Sequence, residues 1–362
     1  MLQAIEPILG VILGVVVLLD IYLLVLHARA DTGTISRLIS APVWGAFIGL
    51  SQSMGRRKGF FLSFAGPTIL VLIIGSWLLL LTLAAALIIH PSLGTAIRAS
   101  HGETPTDFVT ALYVAGHNLD FVAGSDFAPH TPAMRLFHLI SSIIGVALVP
   151  LIITYLLEVY SSLRARNSRG LEVQLHSAET GDAAEVIAAL GPRGRFDTGY
   201  VVLTEWAAKA VEVKESHHFH PVLFYFRFSE PYYSVSRTSL VTLDTVTLIK
   251  SALDENEYGW LKQSAAIDQL WRGTLMELKT LIRSFAPSAD VEMPPSEETR
   301  ARWRRRYAAA LDRLQHAGIK TTGSGVEHYI TLRAQWDRYI TVLAPKFAYD
   351  MDEIDPALAK LK

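Results

Sequence analysis

Hydrophobic positions in the first half of this chain come in long runs, while in the second half they recur at the spacing of a helix face. From Ile8 to Leu26 the one charge is Asp20, and from Gly59 to Ile89 there is none; Met134 to Leu157 carries Arg135 and His138 near its start. A hydrocarbon core of about 30 Å needs about 20 apolar residues at about 1.5 Å of rise each, so each run predicts a membrane-spanning helix. The first run has Glu6 where the basic region of a cleavable leader belongs, and is expected to stay attached.

Past residue 170 the pattern is that of helices with one apolar face. Trp260-Leu261, Ala265, Ile267, Leu270-Trp271, Leu275, Leu278 and Leu281-Ile282 predict one strong helix. Weaker stripes run through Leu203, Trp206 and Ala210, through Leu240, Leu243 and Val246, through Trp303, Tyr307 and Leu311, and through Tyr329, Leu332, Trp336, Tyr339 and Leu343. The turn-forming runs GPRGRF (191 to 196) and APSADVEMPPSEE (286 to 298) divide them, and Ser296 followed by two glutamates predicts a capped helix start.

Composition agrees with a membrane protein: 51% of residues are hydrophobic and 19% are charged. A net charge of -1 without an extended basic patch argues against a nucleic-acid partner, and the absence of cysteine excludes disulfides and thiolate metal sites. There is no glycine-rich dinucleotide or P-loop motif, and no H-E-x-x-H or Ser-His-Asp arrangement. Neither an enzyme nor a cofactor is expected. His217, His218 and His220 do not share one helical face, and read as solvated or hydrogen-bonded rather than as metal ligands.

Short-loop charges predict the orientation. Arg29, Arg37, Arg56, Arg57 and Lys58 lie between the first two runs and Arg164, Arg166 and Arg169 follow the third, whereas the 91 to 133 segment has only Arg98 and several acids. Lysine and arginine favour the inner side, so the N-terminus is expected outside and the C-terminal domain in the cytoplasm of a multi-pass plasma (inner) membrane protein. Val43, Trp44, Phe47 and Ile48 predict a helix lying on the inner leaflet.

Between the second and third runs stands TPTDFVTALYVAGHNL (104 to 119), with a capping threonine, a proline at the first helical position and an early aspartate. It is too short to span. NLDFVAGSDFAP (118 to 129) follows, and then TPAMRLFHLISSIIGVALVPLIITYLLEVY from 131. The order of span, short helix, glycine-containing segment and span resembles the two-helix pore module of the potassium-channel superfamily over roughly residues 60 to 165. Phe121-Val122-Ala123-Gly124-Ser125-Asp126 falls on that family's filter motif T-V-G-Y-G-D, and Pro129 continues the match. EWAAKAVEVKESHHFHPVLFYFRFSEPYYSVSRTSL, from 205, resembles a cytoplasmic segment that follows the pore in a subset of bacterial two-helix channels.

The resemblance implies an all-α membrane protein with three transmembrane helices, a re-entrant pore helix and filter, and a cytoplasmic α-helical bundle. It also implies a homotetramer in the lipid bilayer. The domains expected are 1–58 (extra span and interfacial helix), 59–165 (pore module), 166–290 (cytoplasmic helices) and 291–362 (a C-terminal helical pair). Phe121 to Ser125 are expected to line the path. Phe121 replaces the family's threonine, and Ala123 and Ser125 replace glycines whose backbone angles other residues adopt at a cost of roughly 1 kcal/mol or more. This implies monovalent cation conduction with little preference for potassium. Asp120 and Asp126 either form acid rings at the outer mouth, or Asp126 pairs with a helix donor or with Arg135 and Asp120 faces water. Gly145 and Pro150 mark a hinge or merely close packing; beyond them Ile153 and Leu156 offer a constriction and Glu158 an inner ring. Asp20 reads as structurally paired or as ion-linked. An unknown cytoplasmic ligand or protein is expected to gate the path, and the alternative is a non-conducting receptor or scaffold on the same frame.

Overall fold

A computed structural model of the protein describes residues 2–27, 33–121 and 126–359. Sixteen α-helices and one two-stranded sheet follow in order among the described residues. They are α1 (Leu2–Ile21), α2 (Thr34–Ser51), α3 (Lys58–Ser63), α4 (Ala65–Ile89), β1 (Ile97–Ala99), α5 (Phe108–Asn118), β2 (Phe127–Pro129) and α6 (Pro132–His176). After these come α7 (Ala183–Leu190), α8 (Asp197–Phe219), α9 (Val235–Ala252), α10 (Glu255–Lys262), α11 (Ala265–Phe285), α12 (Glu297–His316), α13 (Val326–Ala334), α14 (Asp337–Lys346), α15 (Met351–Ile354) and α16 (Pro356–Ala359). Three stretches, Ile5–Leu26, Gly55–Ser92 and Pro132–His176, are long and apolar enough to cross a bilayer.

The chain folds as two compact units, Met1–Trp44 with Pro67–Tyr160, and Gly45–Gly66 with Ser161–Lys362. The boundary expected at 290 to 291 thus falls inside the second unit, and the one at 58 to 59 falls inside its first segment. The physical reason is a shared core: α9, buried along almost its whole length, packs against α7 and α11 on the earlier side and against α12, α13 and α14 on the later side.

In the first unit, α1 approaches α4 closely because Gly10 has no side chain; a Cβ there would meet the Ala84 carbonyl and the Ile88 side chain. Glu6 and His90 pair at 2.7 Å at the same end of these helices. β1 and β2 run antiparallel with Ile97 opposite Pro129 and Ala99 opposite Phe127. The ladder continues through Ser100 N donating to the Asp126 carbonyl at 2.5 Å and His130 N to that of Ala96 at 2.8 Å. No strand was legible in this segment, because three residues are too few for an alternating pattern to register.

In the second unit the strong stripe from Trp260 resolves into α10 and α11, since the Ser264 side chain accepts from Ile267 N and starts a new helix. Trp260 is left exposed. The stripe from Tyr329 to Leu343 is likewise broken at Trp336, between α13 and α14. The Ser296 cap forms as expected, accepting from Thr299 N. At the centre Asp244 accepts from Arg306 Nε at 2.6 Å, Tyr329 OH at 2.7 Å and Arg333 Nη1 at 3.0 Å. Asp355 takes the second nitrogen of each arginine at 3.0 Å. Two buried carboxylates thereby meet two buried guanidiniums. Burial works against the charge on Arg306, but Asp244 and Asp355 outweigh it and hold its pKa above the usual arginine range.

Candidate functional site

The segment singled out by its sequence lies in the first unit. α5 starts later than expected: Thr104 and Pro105 precede it outside any helix, and Asp107 caps it, accepting from Thr110 N at 2.9 Å and Thr110 Oγ1 at 2.7 Å. Asp107 outcompetes Thr104 because its two oxygens take both donors of one threonine, and these bonds hold its carboxyl below the usual carboxylate range. Thr104 Oγ1 instead accepts from Ala99 N at 3.0 Å, which ties this chain to the small sheet.

The far end of α5 sits against the middle of α6. A Cβ at Gly145 would collide with the Leu119 carbonyl, so the helix end and α6 approach as closely as backbone allows, and only glycine fits. Gly145 is also central to the apolar stretch from Met134 to Leu157. One residue on, Asp120 adopts a positive φ of 57°, and its Oδ2 accepts from Ser142 Oγ of α6 at 2.5 Å. Asn118 and His138 Nδ1 lie 2.5 Å apart, a second link between the same two helices. Phe121 N donates to the Gly116 carbonyl at 2.9 Å, closing the turn.

Asp120 and Asp126 are both exposed in the single chain. Asp120 is held by Ser142, and Asp126 enters the sheet through its backbone. Arg135 donates from Nε to the Pro129 carbonyl at 3.2 Å. Val122, Ala123, Gly124 and Ser125 lie outside the described residues. α6 continues without interruption through Gly145 and Pro150 to His176. Ile153 and Glu158 are exposed and Leu156 half-buried in the isolated chain.

Asp20 is almost fully buried, and what holds it was not legible. Its Oδ1 accepts from Ile35 N at 2.9 Å and its Oδ2 from Trp77 Nε1 at 3.0 Å and Ser36 Oγ at 3.3 Å. A carboxylate on α1 thus serves one free amide and one hydroxyl at the start of α2, with an indole from α4 completing the set. Trp77 also packs against Tyr155 of α6, 6.3 Å between ring centres.

The continuation of α6 enters the second unit through two arginines. Arg166 donates to the Leu223 and Phe226 carbonyls, both at 2.8 Å. Arg169 reaches Glu277 Oε2 at 3.1 Å and Thr274 Oγ1 at 3.2 Å. Their loop charge was read only as a topology signal, and no sequence pattern linked them to Glu277. His217 lies 3.5 Å from Glu277 Oε1, but burial and then Arg166 push its pKa down to about 3. It stays neutral, its Nδ1 donating to the Val213 carbonyl 3.0 Å away. Burial raises the pKa of Glu277, and Arg169 opposes that rise. Phe226 and Arg227 in turn contact residues 59 to 66: Gly66 lies on the Phe226 ring and Gly59 beside the Arg227 guanidinium. Among the described residues no cluster of histidine, cysteine or acid side chains suits a metal ion.

Comparison with known proteins finds one relative at the level of a membrane protein. The chain is 21% identical over 246 residues to the uncharacterized membrane protein YdjJ of Bacillus subtilis strain 168, covering 68% of this chain and 70% of that protein. No protein-family model matches, and no solved structure does. The protein is a mostly helical membrane protein with three helices able to span a bilayer.

Proposed function

We propose that residues 108 to 126 re-enter the bilayer from its outer side and that four copies of the chain enclose an axial path for monovalent cations, with little discrimination between potassium and sodium. The observation that carries this reading is the seating of the Leu119 carbonyl on Gly145. Gly145 is 13 residues into α6, which at about 1.5 Å per residue is about 20 Å along a helix that crosses a core of about 30 Å. Backbone that leaves a helix at such depth is tolerated where it is enclosed by protein or lines a wet cavity. Asp120, exposed and next to that point, supplies negative charge that favours cations.

Two further observations support the reading. Leu136, Leu139, Ile140, Ile143, Val146, Val149, Ile153 and Leu157 form an exposed apolar stripe along α6 at helical spacing, suited to sister chains or lipid. α6 itself runs on into the second unit, cytoplasmic in this reading, where Arg166 and Arg169 bond to Leu223, Phe226, Thr274 and Glu277.

Purified protein in planar bilayers with mixed sodium and potassium is the test. A current with a reversal potential insensitive to exchange of the two ions, abolished by Gly124→Trp and by Gly145→Val, is the expected result. A reversal potential that follows potassium alone refutes the weak selectivity. The replaced filter residues Phe121, Ala123 and Ser125 favour a second reading, a non-conducting receptor or scaffold. A four-fold assembly that stays silent under every ionic condition decides for it.

A further inference from the structure

A cavity of about 320 Å³ opens in the second unit between the start of α12 and the turn from α13 to α14. Its size falls at the lower end of the roughly 300–1,000 Å³ of small-molecule sites. Trp303, buried, lines one part and Pro294 and Pro295 another, while Arg302, Asp337 and Arg338 bring the charges, two positive and one negative. Asp337 is already committed, accepting from Arg333 Nε at 3.0 Å, and Arg338 Nε donates to the Asp290 carbonyl at 3.2 Å. Arg302 differs. Its Nη2 donates to Thr299 Oγ1 at 3.2 Å, but its Nε is buried without an acceptor. With the Asp337 carboxylate taken by Arg333, the wall is left with the positive charges of Arg302 and Arg338. The first turn of α12, capped by Ser296, adds the positive end of a helix at the same wall.

We propose that this cavity binds a small organic anion, a carboxylate or phosphate monoester joined to an apolar group, with its oxygens on Arg302 and its apolar part against Trp303 and the Pro294-Pro295 wall. The site does not depend on conduction. The Trp303 ring lies 5.6 Å from the Arg333 guanidinium, which is bonded to Asp244 and Asp355, so occupancy is coupled to the core of the unit.

Titration calorimetry and thermal unfolding of the full chain in detergent test this, with benzoate and phenyl phosphate as probes, benzamide as the neutral analogue and inorganic phosphate as the anion without an apolar group. Saturable binding of benzoate or phenyl phosphate is expected, with a rise in melting temperature and none from benzamide. Arg302→Gln should weaken it about tenfold or more. Thr341→Trp, which fills the cavity from α14, should abolish it and serves alone if Arg302→Gln does not fold. The proposal is overturned if neither organic anion saturates the wild type, if benzamide binds as well, if inorganic phosphate binds as tightly as phenyl phosphate, or if Arg302→Gln or Thr341→Trp binds like the wild type.

Discussion

The two units solve the same problem, a buried carboxylate, in opposite ways. In the first, Asp20 is surrounded by neutral donors: a backbone amide, a hydroxyl and an indole. In the second, Asp244 and Asp355 are neutralised by Arg306 and Arg333, with Asp337 as a further partner of Arg333. The difference follows from surroundings. Among membrane helices a second buried charge is expensive, whereas an unsatisfied helix start already offers dipoles to an acid. In the core of the second unit a balanced set leaves each member dependent on the others. Removal of one partner should therefore be far more damaging in the second unit.

That contrast can be broken experimentally. The largest effect is expected from Asp244→Ala, which takes one acceptor from each of Arg306 and Arg333, leaves Arg306 with Asp355 alone, and should cost about 3–5 kcal/mol; denaturant unfolding followed by circular dichroism would show it, and a loss near zero would mean that the charges are not coupled. Trp77→Phe takes one donor from Asp20 and leaves a small void where the buried indole was, and should cost about 1.5–3 kcal/mol in thermal unfolding of detergent-solubilised protein. If instead it matches Asp244→Ala, the neutral set is no softer than the charged one.

Acid separates the units further. His217 is neutral in the folded state down to about pH 3, while the unfolded chain takes up its proton near 6.5. Between these values the unfolded state binds more protons, so stability of the second unit should fall by about 1.4 kcal/mol for each pH unit below 6.5. Replacing His217 with Gln should flatten that slope; an unchanged slope assigns it to other groups. The smallest effect is expected from Ser142→Ala, about 1 kcal/mol, because Asp120 is exposed and water replaces the lost hydroxyl. Hydrogen exchange at Leu119 to Phe121 should quicken in this variant while α7 to α14 stay unchanged. Equal quickening in both units would mean that the Asp120–Ser142 bond is not a local one.

Much of the architecture was legible in the pattern. The three apolar runs, the helix over Val43 to Ile48, the Ser296 cap and a short helix between the second and third runs are all present. Boundaries were less legible. Asp107 replaced Thr104 as the cap, and two stripes divided at Ser264 and Trp336, because a break of one or two residues hardly disturbs a period of 3.6. The domain division at 290 followed a proline-rich loop, yet the helices on either side share α9. Of the candidate site, Gly145 and Asp120 are brought together by the end of α5, and Asp126 is anchored by a sheet too short to foresee.

Span length, caps and amphipathic faces were written in the chain because each depends on neighbours within a turn or on composition over a window. The partners of Asp20 come from up to 57 residues away, and Arg333 meets Asp244 across 89. The need for glycine at position 145 likewise arises from a carbonyl on another helix. Such contacts leave no periodic trace, since any acid, arginine or glycine looks the same along the chain whatever faces it; only the packing of distant helices chose which ones matter.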